Sequence, residues 1–210
     1  MKVIGVSGSP AGNGSVDRLV QIILQNLGQW DSEFISLRNL RIDPCKGCMA
    51  CTGTNRCVQK DDWAYVEDKI RQAELMVLGV PTYYGAAFGV NGLTHNFLER
   101  WFSLRHQGFK SKINKVILAA VSGEEHGNKA IENLKTFFEM YHGIKVVDSV
   151  VARGTTPCYV CGFGEQCPLS AFLHRHGEGA KITADMFVPL AEQDDVISHV
   201  KKIRDKIGDS

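Results

Sequence analysis

Four of the seven cysteines in this chain lie close together, in the segment "CKGCMACTGTNRC". Zinc sites usually place two pairs of ligands some distance apart, so cysteines at successive i+3 steps fit zinc poorly. A compact loop that gives three thiolates to one face of a cube, with a fourth slightly later, is the pattern of a [4Fe–4S] cluster. The spacing favours such a cluster, while zinc and free or redox-active thiols stay open. The predicted ligands are Cys45, Cys48, Cys51 and Cys57.

The other three cysteines form a second motif, in which Cys158, Cys161 and Cys167 follow the spacing C-x2-C-x5-C. His174 and His176 follow shortly afterwards. One interpretation is a second metal site, built from three thiolates and a histidine or an exogenous ligand. The other is a lid over a substrate, in which the cysteines are only small buried residues. The sequence leaves both interpretations open.

The charge balance excludes several kinds of partner. Lys and Arg number 24 against 23 Asp and Glu, a net charge of +1, so we expect no nucleic-acid or anionic-membrane partner. No apolar run approaches the ~20 residues of a membrane-spanning helix. The start, "MKVIGVSGSP", does not have the pattern of an export signal. We therefore expect a cytoplasmic protein, whose reduced thiols serve metal binding or redox chemistry rather than disulfides.

Predicted strands and helices alternate along the chain, and these elements must position the residues named above. Continuous apolar runs predict buried strands at 2–8, 33–37, 75–81, 115–123 and 145–154. Amphipathic spacing predicts helices at 14–28, from Asp61 or Asp62 to about Ala73, around 93–101, at 127–142 and at 193–207. This alternation predicts an α/β three-layer sandwich with a five-stranded parallel sheet, in the flavodoxin-like order 2-1-3-4-5.

We expect residues 1–210 to form a single domain. The cysteine-rich loop 43–60 follows the second predicted strand, and 155–181 is an insertion too long for an ordinary connection, which indicates a functional role. The second and fifth strands lie at opposite edges in this order. Four strand spacings of about 4.8 Å put the two cysteine motifs about 20 Å apart, so we do not expect them to share one cluster within a chain, although they could meet across a dimer.

The loop "SGSPAGNGS" (7–15) follows the first predicted strand. Its backbone N–H groups, small hydroxyls and the following helix N-terminus form a cradle for an anion. The loop lacks both the GxGxxG spacing of dinucleotide folds and the GK[ST] ending of nucleotide-triphosphate loops. It therefore predicts a site for a terminal monophosphate, with a tight turn that binds nothing as the alternative.

Two further loops are expected at the same edge of the sheet. In "PTYYGAAFG" (81–89), Tyr83, Tyr84 and Phe88 offer faces for a flat ring, and the glycines permit close approach of the backbone. The loop "SGEEHGN" (122–128) could supply backbone donors to the edge of such a ring. The alternative for the first loop is that its aromatic residues belong to the core. The alternative for the second loop is that its acidic residues form a solvated surface.

Three motifs together resemble a known family. "GVSGSP" followed by Ser15, "PTYYG" with "LTHNFLERW", and the first cysteine motif with "KDDW" are similar to the iron–sulfur flavoproteins, in the NAD(P)H-dependent FMN reductase-like branch of flavodoxin-like proteins. The resemblance spans about 1–150. Many members carry a basic residue where Ala11 stands. It implies FMN, with its phosphate held by Ser7, Ser9, Asn13, Gly14 and Ser15 and its ring bordered by Pro81, Thr82, Tyr83, Tyr84, Gly85, Ser122 and Gly123.

The resemblance also implies a cluster near a subunit interface, and hence a homodimer or a tetramer built from dimers. The function expected from it is an FMN-dependent oxidoreductase or electron-transfer flavoprotein with a [4Fe–4S] cluster. Ferredoxin or NAD(P)H would donate electrons, and a quinone, dioxygen, a peroxide or an organic substrate would accept them. The alternatives are a clusterless NAD(P)H-dependent FMN or quinone reductase, and a redox carrier or sensor without its own substrate.

No catalytic acid or base can be assigned from the sequence. His126, His174, His176 and Tyr159 are candidates by residue type alone, and for each a structural role is the alternative.

Overall fold

A central sheet of parallel strands organises the computed structural model, which describes residues 1–84, 89–123 and 127–208. Within these ranges the strands are β1 (Lys2–Ser7), β2 (Asp31–Ser36), β3 (Leu75–Tyr83), β4 (Gly89–Val90), β5 (Lys115–Ser122) and β6 (Lys145–Arg153). The α-helices are α1 (Ser15–Leu27), α2 (Trp63–Gln72), α3 (Gly92–Arg100), α4 (Gly127–Thr136), α5 (Pro157–Val160), α6 (Ala171–His176) and α7 (Asp194–Gly208). A π-helical turn, Phe137–Tyr141, extends α4.

The strand order is β2-β1-β3-β5-β6, with all neighbours parallel. This confirms the predicted flavodoxin-like fold and the order of its five central strands. The prediction of five strands is short by one, because β4 pairs antiparallel with the end of β3, where Thr82 lies opposite Val90. A two-residue strand carries no alternation of polar and apolar residues, so a pattern search does not find it.

Two hydrophobic cores lie on opposite faces of the sheet. One is formed with α2, α3 and α4 and contains Trp63, Phe97 and Phe138, while the other is formed with α1 and α7 and contains Leu19 and Ile203. Because successive side chains of a strand point to opposite faces, each central strand must be apolar on both. This double burial produces the continuous apolar runs of the sequence and the three-layer architecture.

Helix α1 packs tightly against β3 where the strand approaches its carboxyl end. A β-carbon on Gly79 would lie 2.3 Å from Cγ2 of Val20 and 3.1 Å from Cγ1 of Val16. Only glycine permits this approach, which keeps the N-terminus of α1 over the edge of the sheet.

The predicted insertion 155–181 contains the short helices α5 and α6 and leads through two 3-10 turns into α7. Buried Gln193 ties its far end to β6: the backbone N–H of Arg153 donates to Oε1 of Gln193 (2.8 Å), and Nε2 of Gln193 donates to the Arg153 carbonyl (2.9 Å). The insertion is therefore anchored at the carboxyl end of β6. Within the described ranges, no helix combines the length and apolar character needed to cross a membrane.

Candidate functional site

The predicted ligand loops meet at the carboxyl edge of the sheet. The backbone N–H of Gly8 donates to the carbonyl of Gly79 (2.8 Å), and Nδ2 of Asn91 donates to the carbonyl of Gly8 (2.7 Å). Oγ1 of Thr82 donates to Oγ of Ser122 (2.9 Å), which joins the ends of β3 and β5. The loops after β1, β3 and β5 therefore converge, as expected at the switch point of a doubly wound sheet.

An acidic side chain organises the loop after β1. Asp17 is buried in the first turn of α1, and its carboxylate accepts hydrogen bonds from Oγ of Ser7 (2.5 Å) and the backbone N–H of Asn13 (3.0 Å). Asn13 takes a left-handed conformation, with φ of 55°. Oγ of buried Ser9 donates to the carbonyl of Ala11 (2.7 Å). The loop is therefore held in a fixed shape by its own hydrogen bonds.

The N-terminus of α1 remains open toward this loop. Gly14 is the N-cap residue, and it has no side chain with which to cap the first N–H groups of the helix. The first N–H groups of a helix lack intrahelical partners and carry a partial positive charge, so they suit an anion. The arrangement fits the phosphate of FMN, with Gly14 and Ser15 at the helix start.

A cation that the sequence prediction missed lies beside the same loop. Arg38 is exposed in the 3-10 turn Leu37–Asn39 directly after β2, and a β-carbon on Gly12 would lie 2.8 Å from its Nη2. Its guanidinium brings a positive charge to this loop, in which Ala11 stands where many members of the family carry a basic residue. Arg38 could have been predicted from its position in the sequence. A residue that directly follows β2 must lie at the same sheet edge as the loop after the adjacent strand β1.

The residues expected around the flavin ring lie at the rim of this edge. Pro81 and Thr82 are half-buried, whereas Tyr83 is 42% and Tyr84 82% exposed. Exposed aromatic faces at a strand end suit a flat ligand. Ser122 is buried, and Gly123 packs against the insertion. Gly85, Phe88 and His126 lie outside the described residues.

The four N-terminal cysteines line one pocket, together with Arg100, Phe102 and Ser103. Cys51 is buried, Cys45 and Cys57 are half-buried, and Cys48 is exposed. Within residues 1–84, 89–123 and 127–208, no group of three or more His, Cys, Asp or Glu side chains is arranged to hold a single metal ion. A [4Fe–4S] cubane needs a different arrangement of ligands. Each thiolate binds its own iron atom, so the cysteine sulfurs lie further apart than the ligands of a single metal ion.

The two ends of the cysteine loop are held together. The backbone N–H of Asp62 donates to the Arg41 carbonyl (3.0 Å), and the backbone N–H of Arg41 donates to Oδ2 of Asp62 (2.7 Å). The backbone N–H of Asp43 donates to Oδ2 of Asp61 (3.0 Å). These bonds hold Arg41 and Asp43 against Asp61 and Asp62, and we call this closed base of the cysteine loop its neck.

Arg100 of α3 connects this neck to the cysteines. Its side chain is 0% exposed, and it pairs with Asp61 through Nη1 (2.5 Å) and Nη2 (3.1 Å). Nη2 also lies 3.1 Å from Sγ of Cys57, and Nη1 donates to the Asp43 carbonyl (3.0 Å). Burial opposes its charge, but the bonds to Asp61 and the proximity of Cys57 leave the pKa of Arg100 above its ordinary value.

A second nitrogen approaches the cysteines from the segment after α3. Nε2 of His106 lies 3.1 Å from Sγ of Cys51, and the His106 backbone N–H donates to Oδ1 of Asn55 (2.8 Å). Burial raises the pKa of the Cys51 thiol, and nearby Cys57 adds to this rise. Arg100 and His106 therefore place nitrogens beside two sulfurs, an arrangement that fits thiolate ligands of a cluster.

An apolar groove runs from the cysteine loop between α3 and α4. Leu98 and Phe137 line it along its length; one end reaches Cys45 and Gly47, and the other reaches His95. The groove offers a surface beside the cysteines on which a partner or substrate could rest.

The second cysteine motif lies apart from the first, at the β6 edge of the sheet, as the strand order predicts. The ring of Tyr159 packs against that of Phe172 (centroids 5.7 Å apart), as does the ring of His176 (4.9 Å). Tyr159 and His176 therefore both contact buried Phe172, while His174 and His176 are exposed.

The fold and the convergent loops are those of a flavodoxin-like protein, and the comparisons with known proteins identify it as an FMN-dependent oxidoreductase. Residues 1–157 match the family model described as NADPH-dependent FMN reductase. An iron–sulfur flavoprotein of Methanocaldococcus jannaschii is 31% identical over 153 residues, covering 71% of this chain and 77% of the relative. One of Archaeoglobus fulgidus is 29% identical over 164 residues, covering 75% and 79%.

The chain therefore belongs to the NADPH-dependent FMN reductase family and, within it, to the iron–sulfur flavoproteins. The structure of the Trp repressor binding protein from Bacillus subtilis superposes with a TM-score of 0.59 at 20% identity, covering 96% of this chain and 98% of that one. At this identity the likeness concerns the fold.

Proposed function

We propose that this flavoprotein carries a [4Fe–4S] cluster on Cys45, Cys48, Cys51 and Cys57 and passes electrons between the cluster and FMN. The observation that carries the proposal is the common pocket lined by all four cysteines, with nitrogens of Arg100 and His106 each 3.1 Å from a sulfur. The names of the relatives, which are iron–sulfur flavoproteins, support the same assignment.

The two cofactors would supply complementary chemistry, because a cluster exchanges single electrons whereas a flavin exchanges one or two. The chain's own part is to bind and orient both groups. The N-terminus of α1, Ser9 and Arg38 would hold the phosphate, while Tyr83, Tyr84 and the Ser122–Gly123 backbone would border the ring. The cysteine loop follows β2, the neighbour of β1, so both sites lie at the same end of the sheet.

Ferredoxin or NAD(P)H would supply electrons, and a quinone, dioxygen, a peroxide or an organic molecule would accept them. The apolar groove that starts at Cys45 supports an exchange partner or acceptor close to the cluster. A carrier without its own substrate is the second candidate, supported by the exposure of Cys48, which lines the cysteine pocket.

We also propose that the protein is a homo-oligomer whose interface includes the cysteine loop. Met49 and Val58, beside the proposed ligands, are 50% and 57% exposed. A second copy would cover these apolar side chains and shield the cluster from solvent.

The test of the cluster is an iron, acid-labile sulfide and FMN count on protein purified without oxygen. Cys51→Ala should keep FMN and lose about four iron atoms relative to the unsubstituted protein, along with broad visible absorption. Met49→Ala, in the same loop but without a ligand atom, is the matched control and should keep both. Equal iron in Cys51→Ala and the unsubstituted protein would refute the ligand assignment, and full FMN without iron would favour a clusterless reductase.

Turnover separates the enzyme from the carrier. The reduced holoprotein should be oxidised by a quinone, dioxygen or a peroxide faster than free reduced FMN under the same conditions. Rapid exchange with ferredoxin and no accelerated turnover of any small acceptor would favour the carrier.

A further inference from the structure

The second cysteine motif repeats the spacing of the last three cysteines of the first. Thr155 stands where Cys45 would stand in this repeat, and Pro168 follows the last cysteine, as a proline does in the bacterial ferredoxin run. Both motifs follow C-x2-C-x5-C, with Cys48, Cys51 and Cys57 in the first and Cys158, Cys161 and Cys167 in the second.

The backbone keeps the first two cysteines of this motif on one turn. The N–H of Cys161 donates to the carbonyl of Pro157 (3.0 Å), and Sγ of Cys161 lies 3.6 Å from the carbonyl oxygen of Cys158. The N–H of Phe163 points at Sγ of Cys161 from 3.4 Å. A backbone N–H directed at cysteine sulfur is the kind of contact that stabilises a thiolate ligand.

The chain then folds back between the second and third cysteines. A β-carbon on Gly164 would lie 2.0 Å from the Cys158 carbonyl oxygen, so only glycine permits this return. The N–H of Cys167 donates to the Phe163 carbonyl (2.9 Å), which closes the next turn. All three cysteines therefore belong to one compact loop.

The exposure of these cysteines does not fit a purely packing role. Cys161 is exposed, Cys158 and Cys167 are only half-buried, and none of the three is in a disulfide. Unligated cysteines usually behave as small buried apolar residues. Three accessible soft sulfur donors in one loop instead suit iron–sulfur or another thiophilic metal.

The loop is anchored beside the flavin edge. Oγ1 of Thr156 donates to the carbonyl of Gly123 (2.8 Å), and a β-carbon on Gly123 would lie 2.9 Å from Cα of Thr156. Gly123 follows β5, whereas the first cysteine motif follows β2. The two motifs therefore flank the proposed FMN site from opposite sides.

We propose that Cys158, Cys161 and Cys167 hold a second iron–sulfur cluster, a cubane with three cysteine ligands and one iron whose outer ligand is exogenous. The proposal builds on the proposed function, because the same spacing is assigned there to cluster binding. It places a second one-electron centre on the β6 side of the flavin.

The test compares two double variants of the full chain after anaerobic reconstitution with ferrous iron and sulfide. The unsubstituted protein should hold about eight iron and eight sulfide atoms per chain, and Cys161→Ala/Cys167→Ala should hold about four of each. Cys51→Ala/Cys57→Ala is the matched control and should also keep about four. FMN content, measured on every sample, shows that each variant is folded.

A C-terminal double variant with as much iron and sulfide as the unsubstituted protein would overturn the second cluster. The second cluster would also be overturned if the C-terminal double variant lost zinc but no sulfide, or if the unsubstituted protein contained a Cys158–Cys161 disulfide. If the C-terminal double variant fails to bind FMN, the conservative Cys161→Ser replaces it and should still lower the iron content.

The two proposals fail in different ways. About four irons per chain that vanish in Cys51→Ala/Cys57→Ala would leave the proposed function standing and the second cluster refuted. About four irons that vanish only in Cys161→Ala/Cys167→Ala would do the reverse.

Discussion

Arg100 and His106 place nitrogens beside two of the proposed ligand sulfurs, and the Arg100 guanidinium also brings a buried positive charge to the cluster loop. Reduction adds negative charge to a cluster, so a nearby cation and an N–H bond to a thiolate stabilise the reduced form. Arg100 should therefore hold the reduction potential at a higher value than the cysteines alone would give.

Arg100→Gln should lower the cluster potential by about 50 mV, close to a tenfold change for a one-electron couple. It should also lower the free energy of unfolding by about 3 kcal/mol, because Asp61 is left buried without its partner. Redox titration and urea unfolding measure the two effects.

The double variant Arg100→Gln/Asp61→Asn separates the effect of Arg100 on the cluster potential from its effect on the stability of the fold. It removes the buried carboxylate as well, so it should recover much of the stability while the potential stays low. A double variant with the potential of the unsubstituted protein would show that Arg100 acts on the fold rather than on the cluster.

His142 gives the protein a pH-dependent stability. Burial, with a smaller contribution from Arg105, lowers the pKa of His142 from its ordinary 6.5 to about 4. The unfolded chain therefore takes up a proton at a higher pH than the folded protein does. The free energy of unfolding should fall as the pH drops from about 6.5 to 4, by at most about 3 kcal/mol.

Urea unfolding of His142→Gln across this pH range tests the effect. The variant should lose this part of the pH dependence, whereas His174→Gln, which removes an exposed histidine, should keep it. Parallel pH profiles of the unsubstituted protein and His142→Gln would rule out the assignment.

The N-terminus of α1 and the turn after β2 would together form the proposed phosphate cradle. Arg38 lies beside the loop but is exposed, so its attraction to a phosphate is partly screened by solvent. Arg38→Gln should weaken FMN binding about fivefold, equivalent to about 1 kcal/mol. The difference should shrink as salt is raised.

Flavin fluorescence titration of the apoprotein measures this affinity. Arg204→Gln is a matched control, because Arg204 lies beside Gly28 at the opposite end of α1 and loses the same charge. An equal loss of affinity in both variants would mean that net charge, not the position of Arg38, sets the effect.

Much of the fold could be predicted from the sequence, because buried parallel strands must be apolar on both faces and their helices on one. The same reasoning could not find Arg100. It lies on the buried face of α3 between Phe97 and Leu104, where a charged residue at an apolar position signals a buried partner. Which partner it finds depends on how the cysteine loop folds back, and no periodicity encodes that. His106 lies in an irregular segment, where no pattern of polar and apolar residues indicates its contact with the cysteines.

At the scale of the whole molecule, apolar side chains are exposed where the cysteine loop emerges. Met49 and Val58 project beside the ligands, and the groove of Leu98 and Phe137 continues from Cys45. A monomer would leave these surfaces and the proposed cluster in water, whereas the proposed association of two copies would cover both.

Met49→Glu should shift the protein toward the monomer, because a charge would be buried at the proposed interface. Sedimentation equilibrium measures the change. Met140→Glu, at another apolar residue that is 74% exposed, is the control and should keep the assembly. An unchanged mass for Met49→Glu would place the interface elsewhere.

The closed neck of the cysteine loop bears on how the holoprotein matures. Arg41 with Asp62, and Asp43 with Asp61, join the two ends of the loop through hydrogen bonds between protein atoms alone. We therefore expect the base of the loop to stay closed when the proposed cluster is absent, so that the cluster could be inserted after the chain has folded. Exposed Cys48 would be the first ligand within reach of an iron donor, and a cluster lost to oxidation could be replaced in the same loop.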